Sequence, residues 1–131
     1  MPVKQLTVFL ENQTGRLAEV ARILRDEGIN LQGFSTTEAR DYGILRLVVS
    51  DTETAKQKLK EAGFTTHIAE AICIKVDDKP GELYKILDIL ANAKINIDYI
   101  YVIAGTKLVL SVSDIPKTES ILRENKVVIC N

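Results

Sequence analysis

The sequence predicts an α+β protein built from two copies of one βαββαβ unit, and three observations carry that prediction. A loop-plus-helix opening, Glu11-Asn12-Gln13-Thr14-Gly15-Arg16-Leu17, recurs as Asp77-Asp78-Lys79-Pro80-Gly81-Glu82-Leu83. Sliding the chain along itself until Gly15 meets Gly81 also lays Leu24 on Leu90, Ile29 on Ile95 and Asn30 on Asn96, as an internal repeat would. Apolar spacing then switches between strand and helix periods in the same order in both copies. Later the register slips, Val49-Ser50-Asp51 meeting Val112-Ser113-Asp114, as when a hairpin has lost residues.

Each copy opens on a strand with one face toward a core: Leu6, Val8 and Leu10 alternate with Gln5, Thr7, Phe9 and Glu11, and Ile72, Ile74 and Val76 repeat the pattern. Leu17, Val20, Ala21 and Leu24, matched by Leu83, Ile86, Leu87 and Leu90, follow the spacing of a helix that buries one stripe. Gly28 is the stop signal of the first helix. Second strands begin at Ile29-Asn30-Leu31 and Ile95-Asn96-Ile97 and turn at Asp41-Tyr42-Gly43 and Ala104-Gly105-Thr106. The returning strands point Leu45, Leu47 and Val49, or Leu108, Leu110 and Val112, inward. They end at Asp51 and Asp114, which suit the N-caps of helices over 52–62 and 115–125. Short last strands are expected over 64–68 and 127–130.

With right-handed crossovers, this order is the split βαβ of ferredoxin-like domains, two antiparallel sheets of order 4-1-3-2 paired side by side. The domains are 1–68 and 69–131, tethered by the few residues around Ala69-Glu70 with no Gly-, Pro- or Ser-rich linker. Units this small gain by packing together. Strand two is an edge in each. In the second copy it is apolar on both sides, Ile97, Tyr99, Tyr101 and Ile103 on one and Ile100 and Val102 on the other, where the first copy has Gln32, Gly33, Ser35 and Thr37. A wide core is one explanation. Edge association with the other copy or with a second chain, giving a homodimer, is the favoured one.

Composition excludes several classes. Of the 131 residues 46% are hydrophobic and 27% charged, and no apolar run approaches the roughly 20 residues of a membrane span. Residues 1–10 read as a strand and not a signal peptide, so a cytoplasmic protein is expected. Cys73 and Cys130 lack metal or redox spacing and are expected as free thiols. A net charge of −1 offers no long-range attraction for nucleic acid or anionic lipid. The third strands turn Arg46 and Val48, or Val109 and Ser111, outward, which makes no aromatic platform for RNA bases. His67 has no ligand partner at metal spacing. No Ser/His/Asp set and no isolated carboxylate pair is present, so neither an enzyme nor a cofactor is expected.

What remains is the turn before the first helix of each copy. Gly15 and Gly81 let the backbone approach a ligand, and the first helical N–H groups beyond them favour a carboxylate. Asn12 adds donors and an acceptor suited to a zwitterion. A structural alternative stands beside this: Asn12 and Asp78 are good N-caps, Pro80 suits a first helical turn, and glycine can serve the turn alone.

These residues resemble the ACT domain family, regulatory modules that bind small molecules. The family pattern reads acidic, Asn, x, Pro, Gly, x, Leu, followed after the helix by an apolar-Asn-apolar strand start. It is carried by 11–17 with Gly28-Ile29-Asn30-Leu31, and by 78–83 with Lys94-Ile95-Asn96-Ile97. Thr14 replaces the pattern's Pro and Asp78 its Asn. The resemblance implies amino-acid binding between paired units, with allosteric control of a partner enzyme or regulator. A helix of about 13 residues, roughly 20 Å, separates Asn12 from Asn30, so one unit cannot hold a small ligand with both. Two units about a twofold axis could, Asn12 facing Asn96 and Asp78 facing Asn30 within a chain, or Asn12 facing Asn30 between chains. The expected site residues are therefore Asn12, Gln13, Thr14, Gly15, Arg16, Leu17, Asn30 and Leu31, then Asp78, Lys79, Pro80, Gly81, Glu82, Leu83, Asn96 and Ile97. Asp78 sets a negative charge where a ligand carboxylate would come, so the first loop is the stronger site.

Overall fold

Alternating apolar residues and turn signals produce ten elements: β1 (Val3–Glu11), α1 (Arg16–Asp26), β2 (Leu31–Glu38), β3 (Tyr42–Val49), α2 (Thr52–Glu61), β4 (Thr65–Lys75), α3 (Glu82–Asn92), β5 (Ile97–Ile103), β6 (Lys107–Val112) and α4 (Ile115–Glu124). They are seen in a computed structural model that describes residues 2–11, 13–38 and 41–130. Two compact units result, Lys4–Ala69 and Glu70–Asn131, with Met1–Val3 grouped with the latter.

In the first unit β1 pairs antiparallel with β3, Leu6 opposite Leu47 and Val8 opposite Leu45, and β2 pairs with the other side of β3. Those four residues meet Val20 and Leu24 of α1 and Ala55 and Leu59 of α2 in one buried cluster. Burying each large aliphatic side chain stabilises by about 1.5–3 kcal/mol, so this cluster dominates the unit. The second unit repeats the plan. Ile72 and Ile74 lie opposite Leu110 and Leu108, and with Ile86, Leu90, Val112 and Leu122 they form a second cluster. Asp51 and Asp114 cap α2 and α4 as expected, accepting from the Thr54 and Lys117 N–H groups at 3.1 and 3.0 Å. Gly28 stops α1 in the left-handed conformation, φ 67°, and Lys94 adopts φ 59° at the matching place.

Several features correct the sequence reading. The few residues expected to tether the domains lie inside a strand, because β4 runs unbroken from Thr65 to Lys75. Its β-branched residues extend readily, and no Gly or Pro interrupts them. In the first unit the hydrogen-bonded order is β2-β3-β1-β4, and in the second it is β4-β6-β5. The first unit thus keeps the expected 4-1-3-2 order of its own strands. The last strand of the second copy is reduced to a bridge between Ile129 and Ile74, with Lys75 donating to the Val128 carbonyl and Cys130 to that of Cys73.

Edge strands differ as well. Irregularities between Leu31 and Gly33 and between Ile97 and Tyr99 insert an unpaired residue in β2 and β5. Past the bulge Ile100 and Val102 face the same side as their partners Leu110 and Leu108, and Ile97, opposite Val112, joins them instead of Tyr99. The last correction concerns the side of the sheet away from the helices. Val48 and Val109, expected to be outward, are buried, as are Gln5 and Cys73.

Candidate functional site

The loops after β1 and β4 share one backbone design. Gln13 N–H donates to the Glu11 carbonyl at 2.7 Å, and Lys79 N–H donates to that of Asp77 at 2.9 Å. Gly15 and Gly81 both sit at φ 88°, a left-handed conformation that glycine adopts without steric cost. A Cβ at either would meet nothing within 4 Å, so backbone conformation and not space demands glycine. Each glycine is itself the N-cap, its carbonyl accepting from Glu19 N–H at 2.9 Å or Lys85 N–H at 3.0 Å. The capping alternative for Asp78 therefore falls. Pro80 also lies before the helix and not in its first turn. Asn12 lies outside the described residues.

Around the first loop the guanidinium of Arg16 faces the protein, its Nε buried without a hydrogen-bond partner among the described residues. It pairs with Glu19 at 2.8 Å and stacks over the Phe64 ring, 4.1 Å from its centroid. Gln13 and Thr14 are exposed, and Leu17 is 46% exposed. An apolar groove of about 240 Å³ opens between α1 and the β2–β3 hairpin, lined among others by Leu17, Val20, Leu31, Phe34 and Leu45.

The second loop forms one wall of a cavity of about 450 Å³. Val76, Asp77, Asp78, Lys79 and Leu83 line that wall; Val102, Gly105, Thr106, Lys107 and Leu108 line the other. A hydrogen bond from Val76 N–H to the Thr106 carbonyl at 2.8 Å pins the walls together. Lys107 precedes core-facing Leu108, so strand alternation turns its side chain to the opposite side of the sheet. Asp77, Asp78 and Lys79 are the charged residues of the loop wall. None of the three is held in an ion pair or side-chain hydrogen bond among the described residues.

Of the residues nominated from sequence, the cavity gathers Asp78, Lys79 and Leu83, while Pro80, Gly81 and Glu82 adjoin it without lining it. Glu82 instead approaches Lys85 at 3.5 Å. Asn30, Leu31, Asn96 and Ile97 stand at the far ends of α1 and α3. Asn30 N–H donates to Ser50 Oγ at 2.9 Å, Asn96 Nδ2 approaches Asp98 Oδ1 at 3.5 Å, and Ile97 packs on the core. Sequence reasoning missed Asp77 and the hairpin wall. The signal was available: a helix starts where its strand ends, and the following hairpin turns at that same end of the unit.

Cys73 and Cys130 are free, buried thiols. Burial, reinforced by the neighbouring Cys130, pushes the Cys73 thiol up to about 12, which removes thiolate character at neutral pH. Among the described residues no three His, Cys, Asp or Glu side chains are grouped as metal ligands, and no helix is long and apolar enough to cross a membrane.

Comparison with known proteins places this geometry. Residues 1–131 match the family model described as an ACT domain pair. The chain is similar to a solved protein from Bacteroides thetaiotaomicron, BT0572, at 38% identity, covering 99% of this chain and 92% of that one with a TM-score of 0.94. It shares its fold with the ligand-free regulatory subunit of aspartate kinase from Thermus thermophilus, at 16% identity, 92% and 87% coverage and a TM-score of 0.67. The same holds for E. coli aspartokinase III in complex with lysine and aspartate, at 19% identity, 94% of this chain, 30% of that one and a TM-score of 0.55. No curated protein matches the chain.

Proposed function

The chain belongs to the ACT domain pair family, and on that footing we propose that it is a non-catalytic sensor that binds an amino acid and regulates a partner in amino-acid metabolism. The observation that carries this reading is the cavity of about 450 Å³ beside the Gly81 turn, within the size range of small-molecule sites and rimmed by charges of both signs. Two neighbours of the same fold add weight by their own descriptions, one a regulatory subunit and the other a complex with lysine and aspartate. Asn12 and the first loop would serve a second, non-equivalent site.

The protein would act in the cytoplasm, where its buried free thiols stay reduced. It would form a homodimer through β2 and β5, the two strands that end the hydrogen-bonded order. In such a pairing first helices run antiparallel, which brings Asn30 or Asn96 of one unit to the loop of another.

Thermal melting of the full chain against the natural amino acids tests the proposal. A true ligand at 100 times its dissociation constant should stabilise the fold by about 2.7 kcal/mol. Flat curves across the whole set would refute it.

A second reading, a protein-interaction module with no ligand of its own, draws on the exposed apolar residues Phe34 and Val102, 54% and 62% exposed. A midpoint that rises with protein concentration but ignores every amino acid would favour that reading.

A further inference from the structure

Resting on the sensor reading, we propose that the cavity beside the Gly81 turn selects an α-amino acid with an uncharged, apolar side chain. Its lining combines two kinds of chemistry. Asp77, Asp78 and Lys79 line it with no ion-pair partner among the described residues, two anions and one cation exposed to solvent. A zwitterion answers that arrangement, its ammonium meeting Asp77 and Asp78 and its carboxylate meeting Lys79. Asp78, awkward for a carboxylate, is thereby explained as the ammonium partner.

Val76, Leu83, Val102 and Leu108 make the rest of the lining largely apolar, and strand alternation turns the Lys107 side chain to the opposite side of the sheet. A lysine or aspartate ligand would set its third charge against that apolar surface at a cost in hydration, whereas leucine, isoleucine, valine or methionine would exchange water for contact. Leu83 is 45% exposed and Val102 62% exposed, so the wall presents apolar surface that the unit's own core leaves uncovered. The Val76 to Thr106 hydrogen bond fixes both walls beforehand, so little ordering is left to binding.

Titration calorimetry of the full chain with leucine, valine, lysine, aspartate and 4-methylpentanoate tests this. Leucine or valine should bind at least tenfold more tightly than lysine or aspartate. The methylpentanoate, which lacks the ammonium, should bind at least tenfold more weakly than leucine. Val102→Asp and Lys79→Ala alter exposed side chains, and each should weaken leucine binding tenfold or more while the far-ultraviolet circular dichroism stays unchanged. Tighter binding of lysine or aspartate, or leucine binding indifferent to both substitutions, would overturn the selectivity and leave the sensor reading standing. Failure of every amino acid to bind would instead remove the sensor reading itself.

Discussion

At Gly15 and Gly81 the backbone makes the same left-handed turn, and each glycine leads into a helix of 11 residues. Around those turns the side chains diverge: Arg16 pairs with Glu19 and covers Phe64 in the first unit, whereas Glu82 approaches Lys85 in the second. The residue that meets the duplicated stop is Gly28 in one unit and Lys94 in the other. Backbone demands were therefore kept through the duplication while surface chemistry was free to change. Two similar folds came to carry two chemically different loops.

The comparison is sharpest in the cores. Leu24→Ala and Leu90→Ala remove matched side chains that are 3% and 0% exposed, and each should cost roughly 2–5 kcal/mol in chemical denaturation. Similar losses from both sites would show two equally weighted clusters; a near-silent Leu24→Ala would break the equivalence. Smaller effects are expected at the paired helix stops. Gly28→Ala places a Cβ at φ 67° and should cost about 1–2 kcal/mol, whereas Lys94→Gly relieves φ 59° and should stabilise by about 1 kcal/mol. If both substitutions destabilise, the Lys94 side chain contributes more than its backbone costs.

The smallest effect concerns acid. The Thr54 side chain and backbone N–H, both donating to Asp51, hold its carboxyl below the usual carboxylate value. A lowered native pKa means stability that is present above the ordinary range and lost as pH falls through the lowered value. The melting midpoint should therefore drop as pH falls below about 4, and Asp51→Asn should lessen that slope. An unchanged slope would assign the acid response elsewhere.

Local patterns were the most legible part of the sequence. Alternation in Leu6 and Val8, the helical spacing from Leu17 to Leu24, and the capping Asp51 and Asp114 depend on neighbours a few residues away, and these elements stand where expected, although α1 buries Val20, Ile23 and Leu24 and leaves Leu17 and Ala21 exposed. Features that depend on competition between alternatives were less legible. Around Ala69-Glu70 the chain could loop or extend, and β pairing on both sides of that point favours extension. The bulges after Leu31 and Ile97 leave no residue signature, yet they decide which side Ile100 and Val102 face. Asp78 has the chemistry of a cap, but Gly81 ends the loop and starts α3 first. Of the site, the loop wall with Asp78, Lys79 and Leu83 was readable from the repeat. Its hairpin wall was not, because Gly105 to Leu108 reach the loop only through the fold.

Whether an amino acid binds beside the Gly81 turn is decided by a nuclear magnetic resonance titration of the isotopically labelled full chain with leucine. Amide shifts should move saturably and cluster at Val76 to Glu82 and at Gly105 to Leu108, with the far helix α4 unmoved. Shifts that never saturate, or that gather at α4 and leave both cavity walls still, would contradict it.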